Sequence, residues 1–143
     1  MKDLTQTIEY FKTFCDGHPQ IGSFGYGPLS QLQTANRLFP IVWMVSKPGT
    51  LNQPTLTISF DIYILTSQNQ DHSNLIDSMN DMLYIGIDMF NSFVDSDLND
   101  NIELSETVTY GPITFEFDDI IGGWSFSYDL TTIKENRCYD KLD

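Results

Sequence analysis

From Thr55 to Thr66 apolar and polar side chains alternate without a break: Leu56, Ile58, Phe60, Ile62 and Ile64 against Thr57, Ser59, Asp61 and Tyr63. Successive side chains of a strand point to opposite faces, so a period of two sustained over about ten residues predicts a strand with one buried and one wetted face. Such a strand cannot bury its apolar side alone. It needs neighbours in the sheet and helices across that side.

The flanking sequence supplies both. Asp3 and Gln6 form an N-cap and capping partner, and Leu4, Ile8, Phe11 and Cys15 recur at helical spacing, predicting a helix over 4–16 that Gly17, His18 and Pro19 end. Residues 21–26 read as a short strand or extended arm, and 28–37 as a polar loop. The run FPIVWMV, Phe39 to Val45, is apolar on both faces and suits a strand covered on two sides, with Pro40 near its start. Lys47-Pro48-Gly49-Thr50 and Asn52-Gln53-Pro54 make a hairpin loop back to Thr55.

Ser73 is placed to cap a long helix reaching Val94, in which Ile76, Met79, Leu83, Ile87, Phe90 and Val94 form one stripe. Leu75, Met82, Met89 and Phe93 widen the apolar arc beyond what one sheet needs. Either the helix is deeply buried, or its methionine-rich flank, Met82, Met89 and Phe93, meets a neighbouring subunit. Residues 103–110, 113–117 and 123–133 read as strands, separated by Gly111-Pro112 and by Ile120-Ile121-Gly122. In the last strand Trp124, Phe126, Tyr128 and Leu130 share one face, and Ser125, Ser127, Asp129 and Thr131 the other. The order predicts one α+β domain over residues 1–143, an antiparallel sheet with the N-terminal and central helices packed on one face.

Composition narrows the function classes. Twenty acidic residues against seven basic ones give a formal charge of −13, the wrong sign for gripping a phosphate backbone, and Lys and Arg never cluster. Cys15 and Cys138 belong to no Cys-x-x-Cys or Cys/His group, so neither a disulfide framework nor zinc is expected, and a reducing compartment is the default. No h-region follows Met1, and Asp77, Asp81 and Asp88 interrupt the longest apolar segment, so neither signal-peptide export nor membrane spanning is expected.

Motifs that carry chemistry are sparse. The stretch DSDLNDNIELSE sets Asp95, Asp97, Asn99, Asn101 and Glu106 at spacings of an EF-hand loop, but Asp100 stands where the turn calls for glycine, and a strand-like segment follows. It is a weak calcium candidate and more simply a solvated loop. His18 and His72 are isolated. Asp118 and Asp119 are adjacent and point to opposite faces if in a strand. Without a nucleophile elbow, phosphate loop or dinucleotide fingerprint, no enzyme and no cofactor are expected.

The succession of an N-terminal helix, NRLFPIVWMV, TLTISFDIYIL, SNLIDSMNDMLYIGIDMF and DDIIGGWSFSYDLTTIKENRCY resembles the head–tail connector and tail terminator family of tailed bacteriophages. The matching positions are Phe39-Pro40, Asp119, Gly123-Trp124 and Cys138, and the resemblance spans residues 1–139. It implies a tail-terminator-like fold and a homo-oligomeric ring of six or twelve copies in the neck of the virion, assembled in the host cytoplasm. Its partners would be the portal or adaptor and tail or other neck-ring proteins. Genome DNA would pass through without specific binding. Ser125, Ser127 and Asp129, with the loops 47–54 and 95–101, would then serve lumen or protomer contacts, and residues 27–38 would be an arm toward another ring. The alternative is a small calcium- or ligand-binding module without catalysis.

Overall fold

A computed structural model describes residues 4–33, 38–52, 55–69, 73–95, 102–104, 108–117 and 119–133. In chain order these form α1 (Leu4–Gly17), β1 (Ser23–Tyr26), a 3-10 turn (Leu29–Gln33), β2 (Ile41–Leu51), β3 (Thr55–Gln68), α2 (Leu75–Val94), β4 (Ile102–Leu104), β5 (Thr109–Glu116) and β6 (Ile120–Ile133). The fold is α+β, with both helices on one face of a six-stranded sheet.

The alternating segment is the centre of that sheet. β3 pairs antiparallel with β6 along its whole length, from Thr55 opposite Ile133 to Gln68 opposite Ile120. β2 lies on the other side of β3, and β4 and β5 share the far side of β6 in succession. The sheet is mixed rather than wholly antiparallel, because β1 runs parallel to β2 from Ser23 opposite Ile41 to Tyr26 opposite Met44. The connection through the 3-10 turn carries the chain back to the same end before β2 begins, and that return fixes the direction.

Further boundaries differ from expectation. β2 runs through Lys47-Pro48-Gly49-Thr50 to Leu51, where a turn was expected, its ladder with β3 shifting register between Lys47 and Thr50. β5 runs straight through Gly111-Pro112, where a turn was expected; an edge strand tolerates a residue without an N–H. Ile120 to Gly122 belong to β6 rather than to a connection, and the glycines explain why. A Cβ at Gly123 would stand 1.9 Å from the Ile64 carbonyl oxygen, so only glycine admits this close approach of β3. The cap of α2 is Asn74, not Ser73: Asn74 Oδ1 accepts from the Asn69 N–H at 2.9 Å, while Asn69 Nδ2 donates to Ser73 Oγ.

Two apolar layers result. On the helix side, Phe60, Ile62 and Ile64 of β3 and Phe126, Tyr128 and Leu130 of β6 meet Phe11 and Cys15 of α1 and Met82, Ile85, Met89 and Phe93 of α2. Rings dominate the contact: Phe11 stacks on Phe93 at 5.6 Å between centroids, and Phe60 on Tyr128 at 5.3 Å. Trp124 Nε1 donates to the Met79 carbonyl at 2.8 Å, tying β6 to α2. On the opposite face a smaller cluster of Ile41, Trp43, Tyr63, Leu65 and Ile121 is covered by Leu32. The start of the expected 27–38 arm is therefore anchored on the sheet, since Leu32 is fully buried there.

Tyr128 Oη has no hydrogen-bond partner among the described residues, and burial, then the nearby Tyr10, push its ionisation upward. An unpaired buried hydroxyl costs about 1–3 kcal/mol. Tyr128→Phe is expected to stabilise the fold by about 1 kcal/mol in denaturant titrations. A raised phenol favours the folded state while it stays protonated, so stability should fall as the pH climbs past the ordinary phenol value of 10.0, less steeply in the variant. Gly123→Ala should cost about 1–3 kcal/mol, whereas Gly111→Ala, with nothing within 4 Å of the added Cβ, should change stability by less than about 0.5 kcal/mol.

Candidate functional site

The face of β3 and β6 turned away from the helices, half-covered rather than open, with Ser59 and Tyr63 buried, carries the first surface of interest. Register sets Thr57 opposite Thr131, Ser59 opposite Asp129, Asp61 opposite Ser127 and Tyr63 opposite Ser125. Ser59 Oγ donates to Asp129 Oδ1 at 2.6 Å, Ser127 Oγ donates to Asp61 Oδ1 at 2.6 Å, and the Thr57 and Thr131 hydroxyls lie 2.9 Å apart. Lys47 of β2 donates to Asp61 Oδ1 at 3.2 Å. Hydroxyl donors held against carboxylates make a rigid polar strip, because charge-assisted bonds of this length are strong and each spans two strands. The Tyr63 phenol is pushed upward by burial and by Asp61, with its bond to Ser125 and the charge of Lys47 acting the other way.

Ser125, Ser127 and Asp129 are thus brought together on one face, as their spacing predicted. Their partners Ser59, Asp61 and Lys47 follow only from register, which alternation alone does not supply.

The second surface is on α2. Met82, Met89 and Phe93 are buried in the protein's own core, so they do not form a face open to a neighbouring subunit. At 100° per residue they point between the sheet and α1, whose Tyr10 and Phe11 rings close over Phe93. The other predicted stripe is the less covered one. Ile76 and Ile87 are exposed, and Leu83 and Phe90 only half-buried, because among the described residues no second helix lies over that flank.

Gly86 lets α2 settle on the Phe126 ring, to which a Cβ would come within 2.1 Å. The same approach opens a cleft of about 300 Å³ beside it, lined by Leu83, Ile87 and Phe90 of α2, Val108, Tyr110 of β5 and Phe126. Tyr110 stacks on Phe126 at 5.6 Å and yet is 57% exposed. The stripe at three- and four-residue spacing was the signal for this wall; its opposite wall, Val108 and Tyr110, had none.

Of the remaining sequence candidates, Asp95 and His18 are among the described residues. Asp95 ends α2 with its N–H on the Asn91 carbonyl, and Asp97, Asn99, Asn101 and Glu106 lie outside the described residues, as do His72, Asp118 and Cys138. Among the described residues no group of three or more His, Cys, Asp or Glu side chains is placed to hold a metal ion. The Gln20 N–H donates to His18 Nδ1, leaving the ring proton on Nε2, which faces Asp88 Oδ2 at 3.4 Å and links the end of α1 to α2. No helix among the described residues is long and apolar enough to cross a membrane.

No family model matches the chain, and no curated protein matches it.

Cys15 is buried, and burial followed by the neighbouring Asp16 raises its thiol to about 12. A thiol so far from its thiolate is a poor nucleophile at neutral pH. Iodoacetamide at pH 8 should therefore leave Cys15 unmodified in the native protein and alkylate it after unfolding, as read by peptide mass spectrometry.

Proposed function

We propose that this protein is a structural component of the tailed-bacteriophage virion, a neck ring between portal and tail that joins or terminates tail assembly and surrounds the DNA passage. The observation that carries the reading is the α2–β5 side of the molecule. There an apolar cleft, a half-covered helix flank and an outer edge of β5 unpaired among the described residues lie side by side. Open strand edges and contiguous apolar surface are what a protein neighbour covers. The resemblance along residues 1–139 supports the same role.

The polar strip suits the other requirement of such a ring. Asp61 and Asp129 are carboxylates held in place by hydroxyls, and a formal charge of −13 repels phosphate, so a lumen wall of this kind lets a genome slide without capture. Portal, adaptor and tail proteins are the partners this role requires.

Negative-stain micrographs of the purified chain, alone and mixed with a portal, should show closed annuli of six or twelve copies. A particle that stays single at the highest soluble concentration, and is absent from purified virions, refutes the role. Replacing Ser127 and Asp129 together by Ala should cost only about 1–2 kcal/mol of stability. If mass photometry then shows the ring population unchanged, the strip does not join protomers; if the rings are lost, it does.

A further inference from the structure

His18 stands where α1 gives way to the turn that leads into β1, and its side chain is only 13% exposed. Gly17 ends the helix on one side of it, and on the other Pro19 has no N–H with which to continue. The main chain then closes on itself. The His18 N–H donates to the Cys15 carbonyl at 3.2 Å, and the Ile21 N–H to the His18 carbonyl at 3.2 Å. Directly after this turn the Gly22 and Ser23 N–H groups donate to the Pro40 carbonyl, which sets β1 beside β2.

Both ring nitrogens are committed. Nδ1 accepts from the Gln20 N–H at 3.2 Å, a bond across the turn, and Nε2 lies 3.4 Å from Asp88 Oδ2 on α2. The Phe14 ring packs against the imidazole at 5.4 Å between centroids. An acceptor at Nδ1 and a donor at Nε2 describe one neutral tautomer. An imidazolium carries a proton on both nitrogens, so a second proton would set two N–H groups against each other at Nδ1. The same proton turns the contact with Asp88 into an ion pair. Histidine is the side chain that ordinarily makes this change between about pH 5 and 8.

The titratable groups on the surrounding elements are few. On α2 they are Asp88 itself, with Asp81 and Tyr84 preceding it on the same side of the helix; at the end of α1 they are Lys12, Cys15 and Asp16. Residues 19–22 carry no charged side chain, and β1 carries only the Tyr26 phenol, which meets Ser46 Oγ at 2.7 Å. Asp88 is thus the carboxylate that reaches the ring.

We infer that His18 is a proton-operated latch: neutral, it holds the turn that carries α1 into β1, and protonated, it releases the Gln20 N–H and holds α2 through Asp88 instead. The proton comes from solvent and adds to Nδ1, and the N–H···N hydrogen bond from Gln20 is what it displaces. Acid therefore loosens the turn ahead of β1 while α1 stays clasped to α2, where the Tyr10 and Ser92 hydroxyls also meet at 2.7 Å. The latch belongs to the single chain and does not depend on the ring reading.

Nuclear magnetic resonance of the full-length, isotope-labelled chain between pH 8 and pH 5 tests it. At pH 8 the His18 ring should show a bare Nδ1 and a protonated Nε2. As the ring takes up its second proton, the Gln20 amide should shift with the same midpoint. Its protection from exchange, corrected for the intrinsic rate at each pH, should fall on the order of fivefold, the amount that goes with one hydrogen bond. Contacts from the ring to Phe14 and Asp88 should persist in acid while those to Gln20 fade. His18→Asn, whose Oδ1 takes the acceptor's place without titrating, should abolish the acid step at Gln20. A proton on Nδ1 at pH 8, a Gln20 amide that does not follow the ring, or an acid step that survives in His18→Asn overturns the latch. So does a ring that leaves Asp88 in acid and keeps its contacts with Gln20.

Discussion

Everything in this fold is referred to the pairing of β3 with β6, which continues unbroken from Thr55 and Ile133 to Gln68 and Ile120. Because side chains on a strand alternate, this one register assigns both faces at once. It aligns Phe60, Ile62 and Ile64 with Tyr128, Phe126 and Trp124 beneath the helices, and Ser59 and Asp61 with Asp129 and Ser127 on the other side. A slip of one residue would put carboxylates under α2 and rings in water. Gly123 secures the alignment, since its backbone sits against the Ile64 carbonyl where a larger residue has no room.

The elements with an uninterrupted period were legible before any coordinates. β3, the core-facing side of β6, and the extents of α1 and α2 follow from spacing and from Gly17 and Pro19. What spacing does not encode is which neighbour covers a surface. α2 has two adjacent apolar stripes, and the one with Met82, Met89 and Phe93 is buried because α1 covers it with Tyr10 and Phe11, a long-range fact. The parallel course of β1 is equally remote from local sequence. Pro112 read as a turn because proline punctuates; in β5 it stands on an edge, where a missing donor is tolerated. The polar strip was half visible: Ser125, Ser127 and Asp129 from alternation, but Lys47, Ser59 and Asp61 as their partners only through register.

Both faces of the sheet are put to use, though by different physics. The helix side gains its stability from aromatic packing and leaves one apolar cleft open at its margin. The other side divides lengthwise. One end is apolar, with Trp43, Tyr63 and Leu65 under Leu32, and the other is the hydroxyl and carboxylate strip. Such a division gives one face of a small domain both a second, smaller apolar cluster and a polar strip.

The prolines at the two borders have a consequence of their own. Pro48 stands in the exposed arm of β2 and Pro112 in β5, and neither has an N–H to offer. Near Pro48 the ladder with β3 also shifts register between Lys47 and Thr50, so the arm is not a regular template. A row of donors with such a gap can hold a matched strand over a few residues but cannot seed the continuous cross-β stacking that amyloid requires. Borders interrupted in this way are poorer templates for fibril growth than unbroken strand edges.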